Sequence, residues 1–554
     1  MPRTSSMACR PLIGVALAFV LGIAFGLSTG QWPPAACGWV AMAGAWLLVR
    51  RIPGGVRLQG FVTLLAAFAT GWLAAATATD RRRAEVDWLR SHDSRNGRIV
   101  LCGKISGDVQ ASPLAHGGVR YQFALRQVAA LTAAGTNRIA SVPVNVTWYG
   151  PSAGSASVSG GARRVPAAGE IWELSGILRV QRQGILSKTR ASLSSREKDS
   201  ARRAEASLRD WGTLADRARQ ATAARLERGI AGWGAIPELV QAMFLGTRSA
   251  IPHQLSQVFR DSGTIHIFAI SGMNVALLAV VLIAMLSMLG VPRQWWVLPL
   301  APILVFYTVV TGLSASALRA CLMAVLYFGA PLLGRKPDGL STLAAAAVMA
   351  LAIDPFQLQD AGFALSFVVM GGLLLLYVPL AELCRRGLRV DDAALDARAS
   401  AGLGGELDPA VVQRRALRVR LLRWTAELAA MSVAAWLSSA PLTAWYFGRL
   451  TPTSLLANLP IAPAAFLVGV ASSVGLLAGL VSPGAEAVFN HAAGGLTQLM
   501  VWCAQATVSI PGGTLEVPNP PPWLVGCWYA GLLLLTWWLW RLTRAAPTGA
   551  AWMR

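Results

Sequence analysis

Apolar stretches of 18 or more residues recur along most of this 554-residue chain, and they constrain its fold more than any other feature. A stretch of that length crosses the roughly 30 Å hydrocarbon core of a bilayer as a helix. Lipid offers backbone amides no hydrogen-bond partner, so each span must satisfy its own backbone, as a helix does. Composition agrees: charged residues make up 14% of the chain, against about 25% in an ordinary soluble protein. The expected fold class is a polytopic α-helical membrane protein of about 12 spans, some broken or half-length.

Three spans come first, near 11–29, 33–49 and 58–79. Arg3 and Arg10 before an apolar run resemble a signal peptide. Two further spans follow almost at once, so the first reads as an uncleaved helix. A polar region then runs to about residue 230. Its segments 97–110, 119–131, 139–149 and 169–180 are rich in β-branched and aromatic residues and are punctuated by turns such as Pro151–Gly161. They predict a small β-barrel inserted in the chain. The stretch 196–229, rich in Ala, Arg and Glu, predicts a long polar-faced helix. Residues 251–262 place Ile251, Leu255, Val258 and Phe259 on one face and predict an amphipathic helix lying at the membrane interface. Further spans are expected near 264–289, 296–312, 314–333, 340–353, 358–379, 425–446, 454–480, 486–509 and 522–540, with 340–353 too short to cross upright. The divisions are thus a membrane segment at 1–80, a β domain at 81–190, connecting helices at 191–262, a second bundle at 263–541 and a tail at 542–554.

Net charge is +22, and residues 81–230 carry 25 basic against 12 acidic side chains. A basic region outside the spans suits a polyanion or anionic lipid headgroups. Loop charges also set an orientation. With the N-terminus in the cytoplasm, the cytoplasmic loops hold Arg50, Arg51 and Arg57, then Arg293, then Arg335 and Lys336, the nine arginines of 380–424, and Arg541, Arg544 and Arg554. The opposing short loops are nearly uncharged. Both termini are then cytoplasmic and the β domain is periplasmic. The seven cysteines and five histidines are scattered, with no CxxC pair, so neither a metal nor another cofactor is expected.

Several spans carry polar residues. His266, Ser271, Gly272 and Asn274 interrupt the span after Gly263. Such a cluster marks a kink, a close helix contact or a water-filled path. A serine hydrolase built on Ser271 would need a base within reach, and His491 is the other histidine in an apolar span. Arg319 lies inside a span, where a charge costs roughly 2.5–3.5 kcal/mol and so must face a partner or water. Asp360 is its candidate partner; the other reading has Arg319 facing a polar conduit and meeting phosphates. Asp354-Pro355 closes one segment and Asp360 can cap the next helix, which begins with Gly362, Phe363 and Ser366. Pro441, then Asn458 with Pro460 and Pro463, break two later spans, a habit of helices that line a cavity.

Together these segments resemble the ComEC-type competence family, the DNA-internalisation channels of naturally transformable bacteria. The resemblance rests on Phe244-Leu-Gly246, His266-Ile-Phe-Ala-Ile-Ser271-Gly272-Met-Asn274-Val and Leu318-Arg319-Ala320. It continues through Asp354-Pro355 with Asp360-Ala-Gly362-Phe363-Ala-Leu-Ser366-Phe367, and Pro441 with Tyr446-Phe447-Gly448 and Asn458-Leu-Pro460. These follow the family's order between about 230 and 480. Family members commonly have His where Asn274 stands, and Asn does not titrate. Many also carry a metallo-β-lactamase-like domain, whose HxHxDH ligand run does not occur here, so no nuclease activity is expected of this chain.

The resemblance implies an OB-like β domain and a channel for single-stranded DNA across the inner membrane, without enzymatic activity of its own. Tyr121, Phe123, Trp148 and Trp172, in or beside the strands, are candidates for stacking on bases, though core positions are the commoner fate of such residues. No GxxxxGK[ST] loop occurs, so the pulling force falls to a cytoplasmic ATP-driven motor acting with DNA-receptor proteins, and strand degradation falls to a separate nuclease. A small-molecule transporter or flippase of the same architecture is the alternative.

Overall fold

A computed structural model describes residues 11–29, 56–91, 99–113, 119–132, 135–140, 144–150, 170–181, 190–204, 211–246, 251–268, 272–312, 315–387 and 409–544. The expected span at 33–49 and Ser271 lie outside them. Two long helices open the described chain, α1 (Pro11–Thr29) and α2 (Val56–Ser91). They cross at small residues: a Cβ on Gly22 would collide with the Phe68 carbonyl, and one on Gly71 with the Phe19 carbonyl. The side chains of Phe25 and Trp72 then meet edge to face at 5.0 Å. With no proline and no glycine after Gly71, α2 continues unbroken out of its apolar half through Arg81-Arg82-Arg83.

Its last turns join the β unit, where Val86 and Leu89 are buried in the sheet's hydrophobic core. Six strands follow: β1 (Ile99–Pro113), β2 (Val119–Thr132), β3 (Gly135–Ala140), β4 (Val144–Gly150), β5 (Ile171–Gln181) and β6 (Arg190–Ala204). β1 pairs antiparallel with both β2 and β5, β5 pairs with β6, β6 runs parallel to β4, and β4 returns to β2. These pairings close on themselves, with β3 added beside the end of β2. Alternation along β4 turns Val144, Val146 and Trp148 inward. The helix expected over 196–229 forms only over residues 211–226; its first part is corrected here, because residues 196–204 belong to β6. Helix propensity along that stretch yields to backbone pairing with strands on both sides.

After the β unit come α3 (Trp211–Leu226), α4 (Ile236–Leu245) and α5 (His253–Asp261), then the 3₁₀ turn Ile265–Phe268. Helices α6 (Gly272–Met288), α7 (Val297–Val310), α8 (Ala315–Gly329), α9 (Gly339–Ile353) and α10 (Ala361–Gly387) follow. Beyond them lie α11 (Pro409–Phe447), β7 (Arg449–Leu450), α12 (Ser454–Ala478), α13 (Pro483–Val508), β8 (Leu515–Glu516) and α14 (Pro522–Arg544). Among the described residues six helical stretches are long and apolar enough to cross a membrane. The protein is therefore mostly helical, with several membrane-compatible helices and one small mixed sheet.

Within the span expected after Gly263, residues Ile265–Phe268 form a 3₁₀ turn and the described part of α6 starts at Gly272. Helix α5 forms as expected, yet Phe259 is fully buried and Ile251 nearly so in the largest core cluster, so its apolar face packs on protein. That cluster gathers α3, α4 and α5 against α12 and α13.

Candidate functional site

The polar residues of the spans separate into three places. The first is the end of α4. Pro237 starts this helix and Gly246, at φ 76°, ends it in the left-handed region, leaving the last carbonyls in need of donors. Asn274, at the start of α6, donates from Nδ2 to the Met243 carbonyl. Tyr307 of α7 donates to the Phe244 carbonyl at 2.7 Å. The Phe244-Leu-Gly246 and Gly272-Met-Asn274 motifs, 30 residues apart in sequence from Phe244 to Asn274, thus meet. Beside them Asn274, Leu277, Val468, Gly469 and Ser472 border a cavity of about 10 Å³, room for on the order of one water molecule. The Ser472 hydroxyl is buried with no hydrogen-bond partner among the described residues. His266 lies exposed on its 3₁₀ turn, with Nδ1 3.1 Å from the Gly263 carbonyl.

The second place surrounds Arg319 of α8. Its side chain is 2% exposed. Nη1 donates to the carbonyls of Gly362 at 3.0 Å and Phe363 at 3.4 Å. The guanidinium sits 5.0 Å from the centre of the Phe367 ring and 5.9 Å from that of Phe363. Asp360 caps α10 by accepting from the Gly362 amide at 2.8 Å, and Asp354 accepts from the Phe356 amide at 3.0 Å. Ser366 lies one turn further along α10, half-buried. Arg319 therefore pins the first turn of α10 and is enclosed there in this arrangement, with Nη2 buried and lacking a hydrogen-bond partner among the described residues. The reason is geometric: α10 starts beside α8, and its first carbonyls and two phenylalanine rings enclose the cation.

The third place holds the prolines expected to break α11 and α12, and the expectation is corrected here: α11 runs unbroken from Pro409 to Phe447 and α12 from Ser454 to Ala478. Pro441 is buried inside α11, and Pro460 and Pro463 lie inside α12. The Asn458 side-chain oxygen is buried without a hydrogen-bond partner among the described residues.

Of the residues considered for stacking, Tyr121, Phe123, Trp148 and Trp172 are 3%, 5%, 1% and 4% exposed. Trp148 packs 5.3 Å from Tyr121 and 5.7 Å from Trp172, centre to centre. Their rings belong to the core and offer no face to a base, because the period-two alternation that put them on strands also turned them inward. Burial raises the Tyr121 phenol above its ordinary pKa by desolvation.

Sequence reasoning missed a fourth group. Glu486 of α13 is fully buried and accepts from Arg225 Nε at 2.7 Å and Arg228 Nη1 at 2.8 Å. Asn490, one turn on, donates to the carbonyls of Arg225 at 2.8 Å and Arg228 at 3.0 Å. An acidic residue and an amide four apart near the start of a long, largely apolar helix were the available signal. His491, next to them, packs 5.5 Å from the Trp233 ring and contacts the Ala487 carbonyl of its own helix.

Comparison with known proteins places these residues in a family. The model of the competence protein family matches residues 243–542. ComE operon protein 3 of Bacillus subtilis (strain 168) is 31% identical over 137 residues, 25% of this chain and 18% of that protein. Uncharacterized protein YcaI of Escherichia coli (strain K12) is 26% identical over 152 residues, 26% of this chain and 20% of that protein. These matches span about a fifth of the length of either relative. No solved structure matches. The family match covers more than half of the sequence and includes Asn274, Arg319, Asp360, Pro441 and Asn458, and the chain belongs to the competence protein family.

Proposed function

We propose that this protein is a channel carrying single-stranded DNA across the bacterial inner membrane during natural transformation. The family match over residues 243–542 carries the reading. The order of the sheet supports it: five strands pair in a closed circuit with one parallel pair, β4 with β6, the arrangement expected of an OB-type barrel, a fold that binds oligonucleotides. The basic surplus of residues 81–230 suits a phosphate backbone. In this reading the β unit is periplasmic, both termini are cytoplasmic, and force and strand degradation come from a separate motor and a separate nuclease.

The test is transformation of a strain lacking this gene, with and without the complementing chain. Uptake should be lost and restored, and the full chain in detergent should bind single-stranded DNA with an affinity that falls steeply with salt. Unchanged uptake in the deletion strain, with no DNA binding, would favour a small-molecule transporter.

A further inference from the structure

Two polar joints hold the α3–α4 hairpin. At its turn, Glu486 grips Arg225 and Arg228 while Asn490 holds their carbonyls. Arg225 also donates from Nη2 to the Leu476 carbonyl, in the last turn of α12. At the far end, Asn274 and Tyr307 hold the carbonyls of Met243 and Phe244. The hairpin thereby bridges the α6–α7 pair to the α12–α13 pair.

These joints differ in kind from the apolar packing around them. A buried ionic cluster is a poor source of stability, and its best-attested use is to specify one register or state of a switch. Glu486 faces two guanidiniums, so the joint keeps a surplus of one positive charge. Arg228 is 50% and Arg225 25% exposed at their side chains, while Glu486 is 0%. The two cations already reach the surface and can exchange the carboxylate for water or another anion. At the other joint, the buried Ser472 hydroxyl borders the cavity beside Asn274.

We propose that the Arg225–Arg228–Glu486–Asn490 joint is a latch holding the α3–α4 hairpin closed over the cavity at Asn274 and Ser472, and that the hairpin shifts to open a passage. This rests on the transport reading above. In the closed arrangement the cavity is far too small for a nucleotide, and the hairpin is the element that both joints release together. Opening wets Asn274 and Ser472 and frees the two arginines toward a passing phosphate backbone.

A reversible cross-link tests it in a version of the full chain free of its seven native cysteines. A Cβ at Gly229 would stand 3.3 Å from that of Ala487, close to disulfide spacing. Gly229→Cys with Ala487→Cys, each also made singly because Gly229 has φ 83° and a Cβ there would stand 2.7 Å from His491 Cε1, which must shift, is combined with Ser472→Cys as a reporter for a membrane-impermeant thiol reagent. Oxidation should abolish both DNA uptake and labelling at 472, and reduction should restore both. Full cross-linking with undiminished uptake or undiminished labelling overturns the latch. If the uncross-linked chain takes up no DNA while labelling still follows the lock, the transport reading fails and the latch stands. Glu486→Gln, which keeps the shape and removes the charge, should raise labelling at 472 without any cross-link; unchanged labelling there also counts against the proposal.

Discussion

Asn274 shows what a single side chain is asked to do in this bundle. The resemblance implies His at this position in many relatives, which raises the question of whether titration matters there. In the structure the demand is for a donor, since Nδ2 gives its hydrogen to the Met243 carbonyl. A neutral imidazole N–H can do the same. Asn274→His should therefore keep uptake and detergent stability, whereas Asn274→Asp sets an acceptor against an acceptor and should cost about 1–3 kcal/mol. Thermal unfolding of the two variants in detergent checks this, and equal melting of both would remove the donor argument. Arg319 follows similar logic with the opposite emphasis. Its partners are two carbonyls and two rings, so Arg319→Met, apolar and of similar length, should still accumulate in the membrane. Arg319→Glu buries an unpaired carboxylate near Asp360 and should lose several kcal/mol and most of its protein level. Loss of uptake by an abundant, stable Arg319→Met variant would place the residue in the transport path. The capping role of Asp360 was legible in its place before an apolar run. The partners of Glu486 were not: they lie 261 and 258 residues away, and no local pattern selects a partner at that distance.

At the scale of elements, periodicity and length located the apolar helices well, with α1, α7, α9, α12, α13 and α14 close to their expected limits. The errors have a common cause. Residues 196–204 carry helix propensity, yet their conformation is decided by β5 and β4 on either side. Strand propensity is largely a statement about neighbours, and a sequence window does not contain them. The crossing of α1 and α2 was equally hidden, because Gly22 and Gly71 look like ordinary glycines of membrane helices. Their carbonyl contacts with Phe68 and Phe19 make them contact points between two backbones. Gly22→Leu should force the helices apart, at a cost of about 1–3 kcal/mol or more, and should raise the rate of proteolysis in detergent. Gly14→Leu is the control, since a Cβ there meets only the end of the Leu64 side chain at 3.4 Å. Equal sensitivity of the two variants would mean the crossing is not tight.

At the scale of the whole molecule, α2 determines how the β unit relates to the bundle. A 36-residue helix is about 54 Å long, enough to pass the apolar region and still project into the sheet. Its first half packs on α1, and Val86 and Leu89 enter the β core. Between them Arg82 lies 4.4 Å from the centre of the Phe356 ring, on the turn between α9 and α10. The β unit is thus held by one continuous rod, braced near the turn that Asp354 and Asp360 organise. If the β unit delivers a strand to the bundle, its position matters as well as its affinity. A flexible Gly-Ser insertion after Asp80 breaks the rod while leaving both cores intact. DNA binding by the full chain should then persist with its salt dependence, while uptake falls because the bound strand no longer meets the bundle at a fixed place. Parallel measurement of binding and transformation separates these effects. Full uptake with the insertion in place would show that the rod serves only as a tether, and loss of binding would show that the sheet depends on α2 for its own fold.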